Sequence, residues 1–331
     1  MPNRSINRVL VTGAFGQIGS ELTPALRERY GKDNVIASGL LTQPIEELSA
    51  NGPFEFVDVT QPETITNAVA KHKIDAIVHL AAVLSAVGEE QPQVAWHVNM
   101  DGLYNVLEVA REQRLRQVFC PSSIAVFGAQ TPRDHTPQDT ILRPTTMYGV
   151  TKVAGELLAD YYVRRFGLDV RGVRYPGIVS NKTVPGGGTT DYAVDVFYKA
   201  IETGHYTCFL RADTVLPMMY MPDCVKATLD LMDADVARLR HHADYNLASL
   251  SFAPRDLVAE IRKHMPDFAC TYEPDWRQAI AQSWPRSIDD TPAREDWDWQ
   301  PSVDLAAMTR DMLAELSRRH AEGCLYLKRL G

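Results

Sequence analysis

Tyr148 and Lys152 form the pair of side chains in this sequence best suited to chemistry. They lie four residues apart in a segment with a helical pattern, so both side chains are expected on one face of a helix. A free tyrosine, with a pKa of about 10, is a poor base at neutral pH, but a nearby ammonium favours the phenolate. Such a tyrosine can exchange a proton with an alcohol or a carbonyl group. Taken alone, the same spacing would also suit an ordinary pair on a helix surface.

Two serines, Ser122 and Ser123, precede this pair and follow a predicted strand over residues 116–120. Parallel sheets bind their ligands at the carboxyl ends of the strands, which is where these hydroxyls are expected. Ser123 can form a hydrogen bond to a substrate oxygen and orient it, and Ser122 competes with it for this role. A hydroxyl, a phenol and an ammonium in this order predict proton transfer coupled to hydride transfer.

A glycine loop near the N-terminus supplies the second half of that chemistry. Gly13, Gly16 and Gly19 lie between a predicted strand over residues 8–12 and a predicted helix over residues 17–30. In dinucleotide-binding loops the first glycine permits a tight turn, the second lets the backbone approach a pyrophosphate, and the third allows close packing of helix on strand. The N-terminus of the helix then faces the phosphates. The loop therefore predicts a bound dinucleotide.

The end of the second predicted strand bears on the choice of dinucleotide. A carboxylate there normally holds the adenosine ribose, but this chain has Ser38, Gly39 and Leu40. No lysine or arginine lies between Asp33 and Ala70, so nothing there suits a ribose 2′-phosphate. We therefore expect NAD rather than NADP. Gly39 is expected to leave space beside the ribose, and Ser38 to bond its hydroxyls.

Other polar positions are weaker candidates. Asp58 and Val59, after the third strand, are expected to contact the adenine, although Asp58 could equally cap the following helix. Asn99, on the helix after the fourth strand, is expected to support the geometry of the site or to act as a cap. His79 is expected to be a core histidine with a hydrogen-bond partner.

The elements that must position these groups alternate between strand and helix. β-Branched runs predict six strands, and apolar residues at helical spacing predict helices over residues 17–30, 94–113 and 144–166. Strand, helix and strand at this spacing indicate right-handed crossovers and a parallel sheet. The predicted strands cover residues 8–12, 34–38, 54–57, 76–80, 116–120 and 169–174.

The second half of the chain differs in composition. It contains a second glycine loop, at residues 185–188, and several proline- and tryptophan-rich stretches. The predicted fold is α/β: a Rossmann-type doubly wound parallel sheet with a smaller, partly discontinuous C-terminal substrate-binding lobe. We assign residues 1–175 to an NAD-binding domain and residues 176–331 mainly to the lobe. Segments near residues 215–250 are expected to complete the main sheet.

Composition narrows the class of protein. The formal net charge is −8, which argues against nucleic acid as the main partner. The five cysteines are scattered, so reduced thiols in a cytoplasmic protein are expected. No histidine pair has the spacing of a catalytic zinc site, and we predict no metal. The longest apolar stretch, residues 76–87, is too short to cross a bilayer and is predicted to be a buried strand followed by a loop, so no membrane association is expected.

These motifs together resemble the extended short-chain dehydrogenase/reductases. The chain is similar to sugar-nucleotide epimerases over residues 8 to about 180, and more closely and nearly end to end to the short-chain-type L-threonine 3-dehydrogenases. The segments that carry the resemblance are VTGAFGQIG (11–19), LSAVGE (84–89), SSIAVFG (122–128), RYPGI (174–178), PGGGTTDYA (185–193), WPRSIDD (284–290) and DWDW (296–299).

The resemblance implies NAD-dependent oxidation of L-threonine to 2-amino-3-oxobutanoate. It implies Tyr148 as the proton acceptor, with Lys152 and Ser123 as its partners, and Ser85 and Thr189 as contacts of the amino acid. It also implies a homodimer formed through a four-helix bundle of the helices over 94–113 and 144–166. The further cofactor contacts that it implies are Phe15, Gln17, Ile18, Leu80, Ala81, Ala82, Tyr175 and Ile178.

Two other functions fit parts of the sequence. A sugar-nucleotide epimerase or dehydratase would need a roomy C-terminal lobe with arginines for a second pyrophosphate; Arg211 is present, but no arrangement of arginines clearly serves this purpose. A non-catalytic dinucleotide sensor would have no use for a proton acceptor, so the set of Ser123, Tyr148 and Lys152 argues against it.

Overall fold

A parallel sheet forms the centre of the first half of the chain in the computed structural model, which describes residues 6–40, 51–184, 186 and 188–326. Of the predicted glycine loop, Pro185 and Gly187 lie outside the described residues. The strands are β1 (Val9–Thr12), β2 (Val35–Gly39), β3 (Phe54–Phe56), β4 (Ala76–His79), β5 (Gln117–Phe119), β6 (Ser122–Ser123), β7 (Val170–Arg171), β8 (Val173–Tyr175), β9 (Gly177–Val179), β10 (His205–Cys208), β11 (Leu216–Tyr220), β12 (Tyr245–Asn246), β13 (Leu250–Phe252) and β14 (Ala269–Tyr272).

Helices cover this sheet and build much of the C-terminal half. Three short 3₁₀ turns span Lys32–Asn34, Ile124–Val126 and Val236–Arg238, and a π-helical turn spans His97–Asp101. The α-helices are α1 (Gly19–Tyr30), α2 (Pro62–His72), α3 (Ser85–Glu90), α4 (Pro92–Trp96), α5 (Gly102–Glu112), α6 (Met147–Phe166), α7 (Tyr192–Thr203), α8 (Met221–Asp233), α9 (Pro254–Arg262), α10 (Arg277–Ser283), α11 (Thr291–Trp297) and α12 (Leu305–Ala321).

The main sheet has the strand order β3-β2-β1-β4-β5-β7, and all its pairs are parallel. Strand β1 is buried on both faces: Val9 and Val11 pack in one apolar core and Leu10 in another. Burial on both faces is what helices on both sides of a parallel sheet require. The Rossmann-type fold predicted from the sequence is therefore confirmed.

The strand order reverses between β1 and β4, and ligands of such sheets bind in the crevice outside the carboxyl ends of the strands at that point. Gly13 follows β1 and Leu80 follows β4. The backbone N–H of Leu80 donates to the carbonyl of Thr12 over 3.0 Å, so the two strand ends stay close. The topology thus places the glycine loop at the expected binding crevice.

Smaller sheets join the two halves of the chain. Strand β8 pairs with β6 on one side and with β12 on the other, and β11 pairs with β9 and β13. Tyr245 and Asn246, in the segment expected to complete the main sheet, lie opposite Val173 and Arg174 in the separate sheet of β6, β8 and β12. The division into domains at residue 175 stays a prediction.

Three local predictions need correction. The catalytic-pair helix begins at Met147, not at Pro144, because the Thr146 hydroxyl accepts the N–H of Gly149 and caps it there. The sixth predicted strand is split at Gly172, whose N–H bonds the carbonyl of His242 instead of a neighbouring strand. A short helix, α3, lies where a loop was expected after β4.

Two kinds of feature are absent from the described residues. No helix in that part of the chain combines the length and the apolar character that crossing a membrane would require. The same residues contain no group of three or more histidine, cysteine or acidic side chains arranged to hold a metal ion.

Candidate active site

The glycine loop is closely packed at two of its three glycines. Gly13 has a positive φ of 68°, and a Cβ there would lie 2.6 Å from the backbone nitrogen of Ala81. A Cβ on Gly19 would lie 2.3 Å from the carbonyl oxygen of Gly13. Both positions therefore require glycine. At Gly16 the nearest atom would be 3.4 Å away, so this position leaves space above the loop.

A cavity of about 230 Å³ opens above this loop and brings most of the predicted site together. Its walls come from the loop, the ends of β4 and β6, the start of α6 and the segment after β8. The predicted site residues that line it are Gly13, Gly16, Gln17, Ile18, Gly19, Leu80, Ala82, Ser85, Ser123, Tyr148, Lys152, Tyr175, Ile178 and Thr189.

Tyr148 and Lys152 lie on one face of α6, as their spacing predicts. The Lys152 ammonium is 5.5 Å from the centroid of the Tyr148 ring, and it donates a hydrogen bond of 2.8 Å to the carbonyl of Pro121. That carbonyl lies directly before β6, so the lysine is held between the helix and the serine strand.

The two serines have different surroundings. Ser123 is only partly buried, and its hydroxyl accepts the N–H of Ala125 over 3.2 Å, which leaves its own proton available to the cavity. Ser122 is buried and donates to the Glu156 carboxylate over 2.5 Å. The geometry therefore favours Ser123 over Ser122 as the substrate contact.

A buried ion pair behind the serines was not predicted. Arg174 donates to both carboxylate oxygens of Glu156, over 2.9 Å and 2.8 Å, and also to the carbonyl of Gln138 over 2.9 Å. Burial raises the pKa of the Glu156 carboxyl, and the Arg174 guanidinium opposes this shift. Glu156 follows Lys152 by four residues and so shares its helix face. The four-residue spacing from Lys152 was the signal in the sequence that could have placed Glu156 behind the site.

We expect Ser123→Ala to lower turnover by roughly 10²-fold, the usual scale for losing one hydrogen bond to a reacting oxygen. Ser122→Ala should lower turnover less and mainly destabilise the fold, by about 1–3 kcal/mol, because a buried carboxylate loses a donor. Steady-state kinetics and thermal unfolding of both purified variants separate these effects. If Ser122→Ala has the lower turnover, the substrate contact belongs to Ser122.

Asn99 links the loop after β4 to helix α6 through side-chain hydrogen bonds. Its side-chain oxygen accepts the N–H of Val83 over 2.8 Å, and its amide donates to the Val83 carbonyl over 3.0 Å and to the Thr151 hydroxyl over 3.2 Å. It lies in the π-helical turn, which directs the side chain between the loop after β4 and α6. These contacts match the supporting role predicted for Asn99, and they do not place it in the cavity wall.

The residues at the end of β2, which were expected to hold the adenosine ribose, are arranged differently from the prediction. The Ser38 side chain is fully buried, and its hydroxyl donates to the carbonyl of Val11 over 2.9 Å, so it does not face a ribose. The expectation that Gly39 leaves free space is wrong, because a Cβ there would lie 2.8 Å from the ring of Phe15. That ring packs against Phe54. Leu40 is 67% exposed at the end of the strand.

The remaining predicted contacts lie at the edge of the site. The Asp58 carboxylate accepts the N–H and the hydroxyl of Thr60, over 2.9 Å and 2.7 Å, which is a turn before α2. Val59 is buried against Gly102 in the apolar core. The backbone of Ala81 borders Gly13 below the cavity. Their contacts to an adenine stay a prediction.

His79 is a core histidine, as predicted. Its Nδ1 lies 2.9 Å from the Thr12 hydroxyl, and the side chain is buried. Burial, with a smaller effect of the Lys152 ammonium, lowers the pKa of His79 to about 3. The imidazole is therefore neutral throughout the physiological range, and it is not a proton donor at neutral pH.

The cavity wall also contains residues from the second half of the chain that sequence reasoning did not assign to the site: Pro176, Gly177, Gly188, Thr190, Asp191 and Trp284. Trp284 lies in the WPRSIDD segment, and Asp191 follows the second glycine loop, at residues 185–188. The Asp191 carboxylate accepts the N–H groups of Gly186, over 2.5 Å, and of Gly188, over 2.9 Å, which shapes the loop beside Thr189. Both residues stood within motifs quoted for the resemblance, but nothing in their spacing indicated the cavity.

Comparison with known proteins supports the resemblance. An uncharacterized epimerase/dehydratase of Staphylococcus haemolyticus is 49% identical over 315 residues, which are 95% of this chain and 99% of the relative. The structure of L-threonine dehydrogenase from Clostridium difficile has a TM-score of 0.93 at 48% identity and covers 96% of this chain and 99% of its own. A monomeric L-threonine 3-dehydrogenase from a metagenome has a TM-score of 0.90 at 49% identity, with coverage of 94% and 99%.

A family model describes the same likeness at a coarser level. The NAD dependent epimerase/dehydratase family matches residues 9–248, which include the glycine loop, Ser123, Tyr148 and Lys152. The similar solved structures support the more specific resemblance to L-threonine 3-dehydrogenases. From this match over most of its length, this chain belongs to the NAD-dependent epimerase/dehydratase family.

Proposed function

We propose that the protein oxidises the 3-hydroxyl of L-threonine with NAD and forms 2-amino-3-oxobutanoate. The observation that carries this proposal is that Ser123, Tyr148 and Lys152 line one cavity with the glycine loop. Ser85 and Thr189, which the resemblance assigns to the amino acid, line the same cavity. Threonine dehydrogenases among the similar structures support the choice of substrate.

The residues divide the reaction between them. Tyr148 accepts the proton of the 3-hydroxyl, and the Lys152 ammonium lies beside its ring. Ser123 donates a hydrogen bond to the reacting oxygen and orients it. Ser85 and Thr189 bind the α-amino acid head group. Bound NAD would supply the acceptor for the hydride that leaves C3 of the substrate.

NAD fits the loop that the structure shows. Gly13 and Gly19 let the backbone form a tight turn, and Gly16 leaves the space that a pyrophosphate needs. NADP is disfavoured, because the sequence between Asp33 and Ala70 contains no lysine or arginine to bind a 2′-phosphate. We propose that backbone groups near Leu40 and Asp58 hold the adenosine, in place of the missing carboxylate.

L-Threonine is expected to be a far better substrate than L-serine or any UDP-sugar. A UDP-sugar lacks the amino acid head group and would leave buried polar groups of the pocket unpaired, which costs roughly 10⁴-fold in kcat/KM. L-Serine keeps the head group and lacks only the methyl group, so its kcat/KM should be lower by roughly 10- to 200-fold. The measurement is NADH absorbance with purified protein, NAD and a panel of amino acids and UDP-sugars.

The same assay decides the alternatives. Conversion of UDP-galactose without net NADH would establish an epimerase, and NADH binding without any turnover would establish a sensor. Arg211, the candidate for a second pyrophosphate, lies 3.4 Å from Asp213 in an ion pair.

Replacing NAD by NADP at saturating L-threonine should lower kcat/KM. An equal value would mean that a basic group from elsewhere in the fold reaches the ribose.

We also propose a cytoplasmic homodimer. The five cysteines are unpaired, which fits a reducing compartment. Helices α5 and α6 expose an apolar face, defined here as Tyr104, Leu157, Tyr161 and Phe166, which are 49%, 68%, 53% and 44% exposed. Large exposed apolar groups that cluster on neighbouring helices indicate an interface.

Light scattering should give a particle of about twice the 37.0 kDa chain mass. Leu157→Glu, in the centre of the apolar face, should shift the protein toward the monomer. Val236→Glu is the control, because Val236 is also an exposed apolar residue, at 47%, and lies in the 3₁₀ turn Val236–Arg238, not on α5 or α6. A monomeric wild-type protein, like the metagenome relative, would contradict the proposal.

A further inference from the structure

We propose that Glu89 is a positioning residue, which fixes the helix that carries Ser85 against the helix that carries Tyr148. This inference rests on the proposed function, because it assigns Ser85 to the substrate. Glu89 does not line the cavity, so its effect must pass through the two helices.

The contact itself joins distant parts of the sequence. The N–H of Met147 donates to the Glu89 carboxylate over 2.7 Å, across 58 residues of chain. Met147 is the first residue of α6, so its N–H has no partner within the helix. A carboxylate at this end also interacts favourably with the helix dipole, and hydrogen bonds to charged groups are the stronger ones. Glu89 therefore anchors the turn that presents Tyr148.

The packing around this bond is direct. A Cβ on Gly88 would be 3.9 Å from the backbone nitrogen of Tyr148 and 4.0 Å from its Cβ, so α3 touches the tyrosine's own turn. Ser85 and Glu89 lie four residues apart on α3, one helical turn from each other. A shift of Glu89 thus moves Ser85 relative to Tyr148.

A second tie lies on the other side of the tyrosine. Asn99 bonds the backbone of Val83 and the hydroxyl of Thr151. The segment that carries Ser85 is therefore held to α6 before Tyr148, at Met147, and after it, at Thr151. Helix α3 has six residues, too few to be stable alone, so its placement depends on such contacts.

The test compares Glu89→Ala with Glu89→Gln and uses Glu90→Ala as control. Glu90 is an exposed glutamate on the same short helix, and it makes no hydrogen bond or ion pair to α6 among the described residues. Glu89→Ala should lower kcat/KM for L-threonine by roughly 10- to 100-fold, as small misplacements of reacting groups do, with a raised KM. Glu89→Gln should recover part of this loss, because the amide oxygen can still accept the Met147 N–H. NAD affinity should not change in any variant.

Equal kcat/KM in Glu89→Ala and Glu90→Ala would overturn the proposal. So would a loss of NAD binding and thermal stability in step with the loss of activity, since this would indicate general unfolding. If the wild-type protein does not oxidise L-threonine, the proposed function fails, and hydrogen exchange still tests the coupling. Glu89→Ala should then speed exchange in peptides covering residues 80–90 and 147–151 relative to Glu90→Ala. No difference would refute the tie.

Discussion

Tyr148→Phe should reduce turnover of L-threonine by roughly 10²- to 10⁴-fold or more, because it removes only the group that accepts the proton. The ring remains, so its packing beside Lys152 and the start of α6 should be kept. NAD affinity should therefore stay close to that of the wild-type protein. Turnover is followed by NADH absorbance, and NAD binding by titration of the same preparation.

Tyr161→Phe is the matched control for this variant. Tyr161 lies on the same helix and is 53% exposed, outside the cavity. Its loss of a hydroxyl should leave turnover unchanged. Near-normal turnover of Tyr148→Phe would remove Tyr148 from the mechanism, and an equal loss in both variants would indicate a general effect on α6.

Gly19→Ala should destabilise the protein by about 3 kcal/mol, at the upper end of what overpacking usually costs. The added Cβ would lie 2.3 Å from the Gly13 carbonyl oxygen and 2.8 Å from backbone atoms of Ala14. These neighbours are backbone atoms, which cannot rotate away as a flexible side chain could. The loop must shift, so NAD affinity should fall as well. Thermal and urea unfolding of the protein without NAD measure the first effect.

Gly16→Ala is the comparison that isolates this clash. Its Cβ would be 3.4 Å from the same carbonyl, which is an ordinary contact, and its φ is not in the left-handed region. Its stability without NAD should stay near that of the wild-type protein, although a methyl above the loop would still hinder the pyrophosphate. Equal destabilisation of the two variants would show that the close packing at Gly19 is not what the loop depends on.

Local patterns were enough for the elements and for part of the site. The run Val9–Thr12, followed by spaced glycines and a helix, predicted the loop at the crevice, because turn, strand and helix are set by neighbouring residues. Tyr148 and Lys152 share a helix face for the same reason. The start of α6 was wrong by three residues, since the Thr146 cap overrode the preference of Pro144 for a first turn.

Pairs of residues far apart in the chain could not be predicted in this way. Ser122 and Ser123 are adjacent and carry the same functional group. Only the hydrogen bond from Ser122 to Glu156, which lies 34 residues later and pairs with Arg174, distinguishes the two hydroxyls. Gly39 appeared to leave space, but Phe15 from the preceding loop fills it. Each outcome depends on which side chain occupies a shared volume.

The sequence by itself determined the strand and helix pattern, the dinucleotide loop and the spacing of the tyrosine and lysine, because these follow from local backbone preferences and periodicity. The tertiary structure alone decided that Ser122 donates to the Glu156 carboxylate, that Ser38 bonds Val11, and that Glu89 bonds the first turn of α6. Hydrogen bonds and packing between distant segments form only when the chain has folded, and they distribute polar groups between the core and the cavity. No local pattern contains that information.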